Sequence, residues 1–113
     1  MPGKLTTHVL DTAHGTPAAG VKISLYRGGK LLCQGVTNRD GRLDAPLLST
    51  ETFSKGSHRL EFSIGDYFAS RNHPDARRFL DVVPIIFNVD DPQRDYHVPL
   101  LVSPWSYTTY RGS

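Results

Sequence analysis

Two histidines, His8 and His97, stand inside stretches that read as β-strands. The other three do not: His14 and His73 sit beside glycine and proline in turn-like sequence, and His58 opens a strand next to Arg59, where it is expected at the surface. An imidazole exchanges its proton near neutral pH, so a histidine on a rigid strand can hold or move a proton at a fixed place. Arg42 follows a tight turn, and a guanidinium fork recognises a planar, acidic, carbonyl-rich ligand. The last residues, Ser106-Tyr107-Thr108-Thr109-Tyr110-Arg111-Gly112-Ser113, carry strand-favouring Tyr and Thr almost to the end, where chains usually fray. A tail docked in a sheet would fix the Arg111 guanidinium, the Ser113 hydroxyl and the terminal carboxylate in one place. The plain alternative is an edge strand that happens to come last. His8, Arg42, His97 and residues 110–113 are therefore the candidate set, and whether they converge is left open by sequence.

Metal binding is the rival use of paired histidines. A zinc site calls for a local spacing such as H-x-E-x-H or C-x-x-C, and neither is present, so no metal is expected. The G-x-S-x-G elbow, the P-loop and G-x-G-x-x-G are absent too. The single cysteine, Cys33, follows Leu31-Leu32 and reads as a small core residue.

Composition narrows the class. At 113 residues the chain is expected to form one domain, 1–113, able to bury roughly two-thirds of its unfolded surface without disulfides or a structural metal. Thirteen basic and eleven acidic side chains are scattered, for a net charge of +2, and Arg77-Arg78 is the only adjacent basic pair. No nucleic-acid footprint results. No stretch has the length of a membrane span, and residues 1–4 lack the apolar core of a signal peptide. The expectation is a soluble, cytoplasmic protein, or a periplasmic one if a leader was removed.

The elements that must position the candidates have mostly period-two hydrophobicity, broken about every ten residues by turn chemistry, as in an all-β sandwich or barrel. Strands are predicted at Leu5–Leu10, Val21–Tyr26, Lys30–Thr37, His58–Ile64, Ile85–Val89, Asp95–Ser103 and in the tail, with a further short one at Arg42–Asp44, about eight in all. In the first, Leu5, Thr7 and Val9 face one way, and Thr6, His8 and Leu10 the other. Gly28-Gly29 and Asn38-Arg39-Asp40-Gly41 are turns; 11–20 and 45–57 are loops. One short helix is predicted at Tyr67–Asn72, ended by His73-Pro74. Pro99 lacks a ladder donor and argues for an edge or a bulge.

Several of these segments resemble a known family. Leu5-Thr6-Thr7-His8-Val9-Leu10-Asp11-Thr12-Ala13 with Gly15-Thr16-Pro17-Ala18 is similar to the start of transthyretin-related proteins. Thr37-Asn38-Arg39-Asp40-Gly41-Arg42 resembles their second motif, and Tyr96-His97-Val98-Pro99-Leu100-Leu101 with Ser103-Pro104 their third. Tyr110-Arg111-Gly112-Ser113 resembles the tetrapeptide that separates 5-hydroxyisourate hydrolases from transthyretin. The matches stand in order along essentially the whole chain. Asp95 departs, standing where many members carry a second histidine.

The resemblance implies a transthyretin-like (prealbumin-like) β-sandwich with one short helix, and a homotetramer, a dimer of dimers with sites in a central channel. It implies hydrolysis of 5-hydroxyisourate in urate catabolism without a cofactor. His8, Arg42, His97 and Ser113 would be catalytic; Tyr110, Arg111 and Gly112 would bind substrate. His8 would take the water and His97 assist, roles that could be exchanged. A carrier of hydrophobic aromatic ligands, as transthyretin is, and an immunoglobulin-like scaffold are the rival classes.

Overall fold

The computed structural model describes residues 3–48 and 53–112 of the chain. Eight strands among them are β1 Leu5–Asp11, β2 Thr16–Pro17, β3 Lys22–Arg27, β4 Lys30–Val36, β5 Gly56–Ser63, β6 Val82–Val89, β7 Tyr96–Val102 and β8 Tyr107–Thr109, with one helix, α1 Ile64–Ser70. They form two four-stranded sheets, in the orders β2-β1-β7-β8 and β4-β3-β5-β6. The core lies between them. Leu5, Val9, Val98 and Leu100 from the first sheet meet Ile23, Leu25, Leu60, Phe62 and Val83 from the second, all essentially buried. In β1 burial alternates residue by residue. A one-residue slip would exchange His8 for Val9 in the core, at a cost of about 1.5–3 kcal/mol for each large apolar side chain sent to water.

The all-β sandwich matches the expectation from sequence, with local differences. The helix starts three residues early, at Ile64, because Ile64, Tyr67 and Phe68 share the i, i+3, i+4 spacing and are all buried. It ends before Asn72, whose φ is +56°. The segment Arg42–Asp44 is not a strand; only a single bridge, Arg42 to His8, forms there. A two-residue strand, β2, lies in the expected 11–20 loop.

Pro99 is neither at an edge nor at a bulge. It lies in β7, between β1 and β8, and pairs with His8. Its carbonyl accepts the Thr109 hydroxyl at 2.7 Å, so the proline's missing N–H faces the tail and the ladder to β1 is intact. The tail keeps one register across the gap. Leu100 pairs with Thr109, and three residues further along each strand His97 pairs with Gly112.

His58, expected at the surface, is 1% exposed. It is in phase with Leu60 and Phe62 and therefore faces inward. Its Nδ1 donates to the Gly56 carbonyl at 3.0 Å, and its ring stacks on Phe87. Burial lowers its pKa and outweighs the Gly56 bond, which raises it. His73, expected on an exposed loop, is half-buried with its ring edge against Phe68 and His14. His14 is exposed, as expected, yet its Nδ1 is 2.6 Å from the buried carboxylate of Asp11. Cys33 is half-buried against the core, and burial raises its thiol pKa.

Asp11 ties the end of β1 to α1. Its Oδ2 accepts the Tyr67 hydroxyl at 2.6 Å, and its Oδ1 accepts the His14 amide at 3.0 Å. Burial pushes the Asp11 carboxyl up, but the bonds from Tyr67 and His14 outweigh it and hold the carboxyl below its ordinary value. Burial and the same bond push the Tyr67 phenol up to about 12. A carboxyl lowered in the fold stabilises it above the unfolded-state value and loses that contribution as pH falls through the folded one. Tyr67→Phe should cost about 1–3 kcal/mol in urea unfolding near neutral pH, and with Asp11 no longer held as low, less of its stability should be lost as the pH falls through the carboxylate range than in the wild type. An unchanged acid profile would show that the phenol does not hold Asp11 ionised.

Candidate active site

The parallel pairing of β1 with β7 puts Thr6 opposite His97 and His8 opposite Pro99. Leu5, Thr7, Val9, Tyr96, Val98 and Leu100 are buried on the inner side. Thr6, His8 and His97 are half-buried on the outer side. The two strand histidines thus share one face.

The other edge of β1 is covered by residues 41–48. The Val9 amide donates to the Gly41 carbonyl at 2.8 Å, and Leu5 exchanges bonds with Leu48 at 2.8 Å and Leu47 at 2.9 Å. Arg42 is delivered by the preceding turn, where Asn38 Oδ1 accepts the Asp40 amide at 2.9 Å and the Arg42 amide at 3.2 Å. The Asn38 amide donates to the Arg42 carbonyl at 2.8 Å. Gly41, at φ +77°, is required there, because a Cβ would lie 2.3 Å from the Val9 oxygen and 3.3 Å from the His8 ring.

His8 Nε2 lies 2.8 Å from the Asp40 carbonyl. A carbonyl only accepts, so Nε2 carries the hydrogen and the lone pair of a neutral ring is on Nδ1. His97 Nδ1 lies 2.9 Å from the Thr6 hydroxyl. On the ring's other flank a Cβ on Gly112 would stand 2.6 Å from His97 Cδ2, and the Gly112 amide donates to the His97 carbonyl at 2.7 Å. Burial, then the positive charges of Arg42 and His8, lower the His97 pKa. Both effects favour the neutral imidazole. Lys4, Thr6, Arg42, Asp95 and His97 line an open groove of about 410 Å³.

His8, Arg42, His97 and Gly112 are thus brought together. Arg111 is not. It stands opposite core-facing Val98, and its guanidinium lies 4.2 Å from the centre of the buried Tyr96 ring while donating to the Asp95 carbonyl at 3.1 Å. Its role in this geometry is to fasten the tail, by a cation–π contact of about 0.5–1 kcal/mol. Tyr110 stands opposite Pro99 and is 56% exposed. Ser113 lies outside the described residues. Lys4 and Thr6 are additions to the sequence-derived set. Both are in phase with His8, Thr6 within β1 and Lys4 just before it, a signal that was present in the alternation. Among the described residues no group of three or more His, Cys, Asp or Glu could hold a metal ion.

Two four-stranded sheets, one carrying paired histidines on its outer face beside a polar groove, define a transthyretin-like β-sandwich. The HIUase/Transthyretin family model matches residues 5–112, and the chain belongs to that family. It is 51% identical to the 5-hydroxyisourate hydrolase of Halalkalibacterium halodurans, over 100% of both chains. It superposes on the crystal structure of (S)-allantoin synthase with a TM-score of 0.93 and 46% identity, covering 99% of this chain and 44% of that one. On sea bream transthyretin in complex with thyroxine the TM-score is 0.84 with 29% identity, over 96% and 94%.

The cause of the low His97 pKa can be read directly. In Arg42→Gln, the loss of a positive neighbour should raise the His97 pKa, followed by ring-nitrogen NMR across a pH titration. An unmoved titration would place the guanidinium away from the ring.

Proposed function

We propose that this chain hydrolyses 5-hydroxyisourate, water opening the N1–C6 lactam bond to give 2-oxo-4-hydroxy-4-carboxy-5-ureidoimidazoline. The observation that carries the reading is the pair of histidines on adjacent strands, one held neutral beside Arg42, in a chain half identical to a 5-hydroxyisourate hydrolase along its length. Water attacks C6 as an imidazole nitrogen takes its proton. The C6–N1 bond breaks, and the proton is returned to N1. A positioned base contributes a factor of about 10²–10⁴. Arg42 holds the substrate's carbonyl edge and stabilises the charge that builds on the attacked oxygen, an effect of about 10²–10³ for one donor. Lys4 adds a second cation to the same groove. Ser113 follows Gly112 directly and is assigned to substrate orientation. None of these steps calls for a cofactor.

The carrier reading fits less well. A groove lined by Lys4, Thr6, Arg42, Asp95 and His97 suits a small polar heterocycle rather than a hydrophobic aromatic. We also assign the chain to a homotetramer that roofs this open groove; exposed Ile86 and Tyr110 support such contacts.

The test is an ultraviolet time course of freshly generated 5-hydroxyisourate with and without the protein. Wild type should accelerate the decay, and His8→Asn and His97→Asn should each lower turnover at least about 10²-fold with the fold retained. Near wild-type rates in both variants would sink the mechanism, and a folded protein without turnover would favour the carrier. Because protonation of His97 is disfavoured, the acid-side fall in kcat/KM should come at a lower pH than an ordinary histidine would give. Gly112→Ala forces the His97 ring to move, and a misplacement of about 1 Å should cost about 10²-fold in turnover with little loss of thermal stability.

A further inference from the structure

The two histidines are held by different partners, at different ring atoms. His8 gives Nε2, the tip of its ring, to the Asp40 carbonyl at 2.8 Å, which leaves Nδ1, beside its own backbone. His97 has Nδ1 2.9 Å from the Thr6 hydroxyl, a group that can accept from Nδ1–H or donate to a bare Nδ1. The opposite flank of that ring, Cδ2, is closed by Gly112. With Nδ1 and Cδ2 both occupied, the edge left free among the described residues is Cε1–Nε2, the end of the ring farthest from the strand, and His97 lines the groove that Arg42 and Lys4 share.

We infer that Thr6 is a positioning residue for the proposed hydrolysis, its hydroxyl holding His97 by Nδ1 so that Nε2 takes the proton from water and returns it to the leaving nitrogen. This rests on the hydrolase reading. We assign the neutral ring as the Nδ1–H tautomer, donating to Thr6 Oγ1, which is the arrangement that leaves the Nε2 lone pair to water. When Nε2 gains the proton from water the ring becomes an imidazolium, and the same Nδ1–H···O bond persists. When Nε2 gives that proton to N1 the ring is restored. The ring therefore cycles with no change of partner and no rotation. A carboxylate in place of Thr6 would do the same but would favour the imidazolium and slow the return of the proton. A hydroxyl orients the ring without adding charge. The placement is dictated by the fold, since Thr6 and His97 are paired residues in the parallel ladder and both face outward.

The experiment compares Thr6→Val, which keeps the shape and removes the hydroxyl, with Thr6→Ser, which keeps the hydroxyl. Turnover of 5-hydroxyisourate is measured against pH, and the His97 ring nitrogens are followed by NMR in the absence of substrate. Thr6→Val should lower kcat about 10–100-fold with KM within about twofold, as loss of an orienting outer-shell partner does at metal-bound histidines. Thr6→Ser should recover most of that loss. Ring shifts in wild type and Thr6→Ser should report the Nδ1–H tautomer, and in Thr6→Val a mixture. Wild-type kcat in Thr6→Val, an equal loss in both variants, or an unchanged tautomer in Thr6→Val would each overturn the inference. An inactive wild type would instead remove the hydrolase reading, and the NMR comparison would still decide whether Thr6 sets the ring.

Discussion

Everything in the groove depends on the parallel pairing of β1 with β7. The contact joins residues 5–11 to residues 96–102, so nearly the whole chain lies in the loop it closes. Closing a loop of that length costs only about 0.6 kcal/mol more for each doubling, and the pairing is repaid by burial of Leu5, Val9, Val98 and Leu100 on its inner side. The outer side of the same ladder is thereby left rigid and half-exposed. Polar groups on it acquire fixed positions without the cost of complete burial. The β7–β8 register then carries the tail to Gly112 beside His97, and residues 41–48 carry Arg42 to His8 along the opposite edge.

Much of this was legible in the sequence where a local rule governed it. The alternation from Leu5 to Leu10 put His8 and Thr6 on the outer face, and the strand-forming tail was docked as its composition required. The same alternation would have placed His58 inside, in phase with Leu60 and Phe62; its polarity and its neighbour Arg59 argued the other way, and burial prevailed because Gly56 and Arg27 supply bonds to the ring. The start of α1 was hidden because Ile64 serves both a period-two and a period-3.6 reading. What no local pattern contains is which strands are neighbours. Pro99 could sit in an interior strand only because its missing donor turns toward the tail. Arg111 was grouped with the histidines as part of the docked tail, yet adjacent residues of a strand point to opposite faces. Its guanidinium consequently lies on the Tyr96 side.

The electrostatics of the groove follow from the half-burial. Partial desolvation and the cation of Arg42 both disfavour a proton on His97, and among the described residues no carboxylate bonds to its ring to reverse them; Asp95, the acidic residue lining the groove, accepts from the Lys4 amide. A histidine buried outright, such as His58, is also held neutral, but both its nitrogens face protein groups, Gly56 and Arg27, and none is left for a ligand. The outer face gives His97 the same neutral state with one ring edge still open.

The glycines separate along the same line. Gly15, Gly20, Gly28 and Gly29 have positive φ and open space where a Cβ would stand, so they serve turns only. Gly41 and Gly112 are the two glycines among the described residues at which an added Cβ would come close to a histidine ring, at 3.3 Å from His8 Cδ2 and 2.6 Å from His97 Cδ2. At Gly41 the backbone conformation alone excludes a side chain, and the contact with the Val9 oxygen reinforces it. At Gly112 the constraint is the ring itself: a methyl group there leaves His97 the choice of moving or losing the tail's bond to its carbonyl. The tail therefore packs against one flank of the His97 ring, and glycine stands where that contact is closest.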